Sequence, residues 1–124
     1  GEEIRLSHVG KPFLAYNQRT WALDDGRPLH SESGFWRMAG ADRVELVVAH
    51  PNGHVEVAEG TLRGTSISLA TTTIASTSTA KQVDVLEREI TVVGETLTYE
   101  LRMAAVGQPL EGHLQAELRL GATY

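Results

Sequence analysis

The sequence predicts an all-β protein, an antiparallel up-and-down meander closed as a barrel or folded as a sandwich. Two observations predict it. Apolar residues recur mostly with a period of two, most cleanly where Leu97, Tyr99, Leu101 and Met103 alternate with Thr96, Thr98, Glu100 and Arg102. Turn-forming groups arrive at short intervals: Asp24-Asp25-Gly26, Ala39-Gly40-Ala41-Asp42, Pro51-Asn52-Gly53, Gly64-Thr65 and Gly94-Glu95. Each tolerates positive φ or bonds its own backbone, and short strands joined by such turns form hairpins.

Nine strands are expected, and the first two lie near 3–9 and 12–23. The third, near 28–38, carries His30, Glu32, Gly34, Trp36 and Met38 at one parity. The fourth, near 42–50, puts Val44, Leu46, Val48 and His50 on one face, and Pro51-Asn52-Gly53 turns the chain into the fifth, near 54–63. The sixth, near 65–71, alternates serine with Ile67 and Leu69. Thr71 to Thr79, with the sequence TTTIASTST, reads as a solvated loop. The seventh, near 80–93, changes parity: Val83 and Val85 are odd, whereas Leu86, Ile90 and Val92 are even. A bulge near Val85 would account for that. The eighth, near 96–105, is the clearest. The ninth, near 113–120, competes with a helical stripe of Leu110, Leu114 and Leu118.

A length of 124 residues argues for one domain, 1–124, large enough to bury about two-thirds of its unfolded surface. Hydrophobic content of 41% and charged content of 22% are those of a soluble globular chain. The net charge is -5 and no basic stripe is interleaved with aromatics, which argues against nucleic acid as a partner. Cysteine is absent, which excludes disulfides, thiolate catalysis, iron–sulfur clusters and cysteine-bound zinc, and suits a reducing cytosol. Apolar runs such as Val47-Val48-Ala49 are too short to span a membrane as a helix, and Gly1-Glu2-Glu3 does not read as a secretory signal.

Five histidines, His8, His30, His50, His54 and His113, are the main chemical resource. His50 and His54 are four apart, but Pro51-Asn52-Gly53 between them makes a turn. Surface or strand-end histidines are therefore expected there rather than a zinc-binding pair. His30 and His50 share parity with presumptive inward residues, so both are expected to point inward; on periodicity alone each is a rim or core histidine satisfied by a neighbour. No G-x-S-x-G, P-loop or G-x-G-x-x-G motif occurs. Glu87-Arg88-Glu89 reads as a solvated face, and Glu2 and Glu3 as exposed. Residue chemistry alone reaches a soluble β-barrel with an internal ligand cavity.

Three segments extend the reading: Ser7-His8-Val9-Gly10-Lys11-Pro12-Phe13-Leu14, Pro28-Leu29-His30-Ser31-Glu32-Ser33-Gly34-Phe35, and the run from Leu97 to Leu114 that ends Gln108-Pro109-Leu110-Glu111-Gly112-His113-Leu114. With Val44 to Pro51 and Ala80-Lys81, this combination resembles nitrobindin, especially its actinobacterial forms, over essentially the whole chain. The resemblance implies an antiparallel up-and-down barrel of about ten strands, calycin-like and of the fatty-acid-binding-protein type. It implies one haem b per chain near the barrel mouth, with His113 as axial iron ligand and His30, His50, Met103, Leu29 and Val83 among the cofactor-binding residues. It further implies isomerisation of peroxynitrite to nitrate by ferric haem, binding of nitric oxide, and a cytoplasmic location. Family members can be dimers, so a homodimer is admitted.

The family's first strand, Gly-x-Trp-x-Gly-x-Gly, has no counterpart, since Gly1-Glu2-Glu3 aligns with the second. A gap or exposed edge is expected where that strand would sit. Two alternatives stay open. One is a carrier of a fatty acid or other apolar ligand, with Arg88 or Arg102 meeting its carboxylate. The other is a haem-based nitric oxide sensor without turnover.

Overall fold

The computed structural model describes residues 1–81, 83, 85–104 and 111–121, and of 111–114 the backbone alone. Its strands are β1 (Glu2–His8), β2 (Phe13–Trp21), β3 (Pro28–Met38), β4 (Arg43–His50), β5 (His54–Arg63), β6 (Ser66–Ser76), β7 (Val85–Val93), β8 (Thr96–Ala104) and β9 (Glu111–Arg119). Each pairs antiparallel with the next in one nine-stranded sheet, curled into a nearly closed barrel. Among the described residues no ladder joins β9 back to β1, which matches the expected open edge. Across that opening the Tyr99 hydroxyl donates to the Glu2 carboxylate, at 2.9 Å to Oε2, and Gln18 Nε2 donates to it at 3.1 Å. Glu2 is therefore half-buried rather than exposed, and Glu3 is half-buried between Arg5 and Arg19. Among the described residues no helix is long and apolar enough to cross a membrane.

The period of two decides what faces inward. Tyr16, Val44, Leu46, Val48, Ala58 and Leu69 form the core cluster, with Ile4, Trp36, Leu62 and Ile67 packed against it. The remainder of the interior is hollow, with a cavity of about 450 Å³. Simple up-and-down order places the β2–β3, β4–β5, β6–β7 and β8–β9 connections at one rim, and the other four at the opposite rim.

Two expectations are corrected. The threonine-rich stretch is strand as far as Ser76, paired from Val57↔Thr73 to His54↔Ser76. The long β5 edge needs partners for its backbone groups, and β-branched threonines suit a pleated ladder. Thr72 is the extra residue of a bulge between Val57 and Ala58, which carries the inward face from Leu69 to Ile74. β7 starts only at Val85, and its register with β8 is regular from Val85↔Ala104 to Val93↔Thr96. The parity change therefore marks where the strand begins, and the described pairs hold no bulge at Val85. A further bulge lies in β9, where pairing steps from Leu101↔Leu114 to Arg102↔Gly112 and leaves His113 as the extra residue.

Candidate functional site

Inward parity at the β4–β5 rim brings charged residues, rather than apolar ones, into the barrel. Glu32 comes from β3, His50 from the end of β4, His54 and Glu56 from the start of β5, and Arg88 from β7; all are buried. Pro51-Asn52-Gly53 closes the β4–β5 turn, with Gly53 at a φ of 102°, so His50 and His54 pair across it. Their rings stack with centroids 4.1 Å apart, and the His30 ring lies 5.5 Å from His50. His54 thus holds the expected strand-end position, as the first residue of β5, but lies in the interior rather than on the surface. Arg88 is corrected too: it shares the inward parity of Leu86 and Ile90, and only Glu87 and Glu89 of that charge run face outward.

The polar groups bond one another. Arg88 donates to both Glu56 carboxylate oxygens, at 2.8 Å and 2.6 Å, in a bidentate pair. His50 Nε2 lies 2.8 Å from Glu56 Oε1. The Tyr16 hydroxyl donates to Glu32 Oε1 at 2.7 Å. Glu32 Oε2 is approached by His50 Nδ1 at 3.4 Å, His30 Nε2 at 3.5 Å and Arg88 at 3.7 Å. Burial alone would raise the Glu56 carboxyl, but hydrogen bonds from Arg88 and His50 outweigh it and hold it at about 2. Burial opposes ionisation of Glu32 as well, yet His30, Arg88 and Tyr16 keep it below the usual carboxylate range. His54 is held below the usual histidine range by burial and by His50 beside it. Among the described residues, both ring nitrogens of His54 and Nδ1 of His50 lack a hydrogen-bond partner.

This polar layer divides the interior. Towards the β1–β2 rim lies the cavity, walled by side chains such as Leu6, Leu14, Trp36, Ile90 and Leu101, and floored by Gln18, Glu32 and Arg88. On the other side lies the rim where β8 returns into β9. Of the anticipated site residues, His30 lines the cavity and keeps its side chain 42% exposed, and His50 is buried in the layer with its side chain 5% exposed. Met103, near the end of β8, and Val83, before β7, are half-buried. Leu29 has the opposite parity to His30 and is 60% exposed, so it stands apart from this group. His113 is the third residue of β9 on the β4–β5 rim; its side chain lies outside the described residues. Sequence reading passed over Tyr16, Glu32 and Glu56 as site residues, and considered Arg88 only as a partner for a carrier's ligand carboxylate. The signal for Glu32, Glu56 and Arg88 was a charge at an inward parity position.

The family model for the THAP4-like, heme-binding beta-barrel domain matches residues 1–119. A Mycobacterium ulcerans protein named peroxynitrite isomerase 2 is 49% identical over 122 residues, 95% of this chain and 76% of that one. A Nocardia farcinica protein named peroxynitrite isomerase is likewise 49% identical over 122 residues, 95% of this chain and 73% of the relative. The crystal structure of Rv2717c from M. tuberculosis superposes with a TM-score of 0.90 at 45% identity, covering 98% of this chain and 80% of that one.

Proposed function

The chain belongs to the THAP4-like, heme-binding beta-barrel domain family, and on that premise we propose that it is a haem-dependent peroxynitrite isomerase that yields nitrate. The observation that carries the reading is near-half identity, over 95% of the chain, to proteins named for that activity. The β4–β5 rim suits the cofactor: it combines half-buried Met103 and Val83 with a partly exposed His30, and β9 brings His113 to the same end. Since the chain has no cysteine, thioether attachment through cysteine is excluded, which is consistent with haem b.

When bound, ferric haem would supply a Lewis-acidic iron for a peroxynitrite oxygen or nitric oxide. The protein's part is to hold and shield it. His113 is the extra residue of the bulge in β9. Its imidazole would hold the iron through an unprotonated nitrogen, with the other nitrogen donating to a neighbour that fixes the tautomer. Met103 and Val83 would keep water from the reacting face. His30, partly exposed at the same rim, would meet the anionic substrate.

The apolar cavity favours a second reading, a lipid carrier, but the two arginines expected to meet a ligand carboxylate do not. Arg88 is already paired bidentately with Glu56, and Arg102 faces outward towards Glu87 and Glu89. Haem titration followed by absorbance tests the assignment. One equivalent should produce a Soret band, and His113→Ala should abolish the native band while the far-ultraviolet β signal is retained. An unchanged band in the variant would reject His113 as the ligand.

A further inference from the structure

The polar layer holds a donor set that haem binding through His113 does not use. One ligand atom each from His30, Glu32 and His50 lie within 4.8 Å of one another. We propose that these three residues form a second, non-haem metal site that takes a divalent first-row transition ion such as Zn2+.

The spacing suits such an ion. Bonds of about 2.0–2.1 Å in a tetrahedral site separate neighbouring ligand atoms by roughly 3.4 Å. Glu32 Oε2 lies 3.4 Å from His50 Nδ1 and 3.5 Å from His30 Nε2. Two imidazole nitrogens and one carboxylate oxygen form a donor set for Zn2+, Fe2+ or Cu2+ rather than for Mg2+ or Ca2+.

Protonation points the same way. Glu56 accepts from His50 Nε2, which leaves a lone pair on Nδ1. Carboxylates orient metal-binding histidines in this manner. On the facing group, Tyr16 donates to Glu32 Oε1, while Oε2 meets His30 Nε2 at 3.5 Å and is turned towards His50 Nδ1. Two lone-pair-bearing atoms therefore face each other at 3.4 Å, deep in the barrel, and a cation between them turns that repulsion into attraction. His50 Nδ1 has no hydrogen-bond partner among the described residues although the side chain is 5% exposed. Leaving such a buried atom unpaired is costly.

Charge allows a cation as well. With neutral imidazoles, Glu32, Glu56 and Arg88 sum to a net charge of minus one. Arg88 NH2, 3.7 Å from Glu32 Oε2, weakens the attraction, but its short bonds go to Glu56. His30 and Glu32 both line the cavity, so the fourth coordination position opens towards it, as in sites that keep water or an exchangeable anion. His54 stacks on His50 and supports its ring; the site is not the His50–His54 pair.

The test is titration of Co2+ into the whole chain without haem, read by visible absorption, with Zn2+ as competitor. One equivalent should give the d–d bands of a tetrahedral ion, and Zn2+ should abolish them. Glu32→Gln and His50→Gln should each remove the bands. His30→Ala, at a half-exposed side chain whose loss leaves the fold intact, should weaken binding at least tenfold, and His8→Ala at the opposite rim should change nothing. Calorimetric Zn2+ binding should persist after haem reconstitution. Absence of the bands from the native chain, which would leave His50 to a proton alone, overturns the proposal. So does their survival in His30→Ala, Glu32→Gln and His50→Gln. Their loss in His113→Ala alone would assign the ion to the haem ligand, and loss of Zn2+ binding on haem loading would overturn the separateness of the two sites.

Discussion

Glu56 has no solvent exposure, and its charge is supported by the Arg88 guanidinium and the His50 ring. Replacing it with alanine strands a buried guanidinium, and removal of one partner of such a pair costs about 3–5 kcal/mol. Chemical denaturation of Glu56→Ala should show a loss of that order; a loss under about 1 kcal/mol, the worth of an exposed pair, would contradict the buried network. The same carboxyl makes stability depend on pH. Its folded value of about 2 lies below the ordinary 4.5, so the unfolded chain binds the proton first. The contribution of Glu56 is complete above about pH 5 and is lost as pH falls towards 2. Denaturation midpoints should drop across that window in the native chain and much less in Glu56→Gln, which removes the titration. Equal slopes in the two proteins would contradict the assignment. Arg88 shows why sequence reading missed this network. Between Glu87 and Glu89 it looks like one third of a solvated patch, and only its parity with Leu86 and Ile90 reveals that it turns inward.

At the scale of elements, most of the ladder was legible, because alternation and turn residues are local signals. Val44, Leu46, Val48 and His50 are buried as their spacing predicts. The end of β6 was not legible: a threonine-rich stretch suits a loop and a strand equally, and the β5 edge decides between them. Close approach of strands is similarly hidden. A Cβ on Gly34 would collide with the Val47 carbonyl, and one on Gly60 with that of Ser68. Both obstacles are backbone, so they do not yield by rotamer change. Glycine inside a strand marks such an approach. Gly34→Ala and Gly60→Ala should each cost about 1–3 kcal/mol, the range for overpacking, or prevent folding, whereas Gly121→Ala, which meets nothing within 4 Å, should be neutral. Thermal unfolding of the three variants checks the contrast, and a Gly34→Ala protein as stable as the native one would contradict the register of β3 against β4.

For the whole molecule, the alternation of short strands sufficed to foresee an all-β meander, but not whether it closes or what it encloses. Closure depends on long-range pairing, which alternation leaves open between barrel and sandwich; the hollow interior was expected from alternation and short turns, and the haem within it only from the family resemblance. The outcome is a nearly closed barrel with two unlike compartments. An apolar cavity occupies one, and a charged layer separates it from the rim that carries β9 and His113. In the proposed function, the haem stands at that rim and the layer braces it from within. The measurement that bears on this most directly is the decay of peroxynitrite by stopped flow, with nitrate and nitrite quantified afterwards. The haem-loaded native chain should accelerate the decay catalytically and raise the nitrate share, and His113→Ala, treated with the same haem, should do neither. Decay by the haem-loaded native chain no faster than by the haem-free chain, or an unchanged product ratio, would contradict the account.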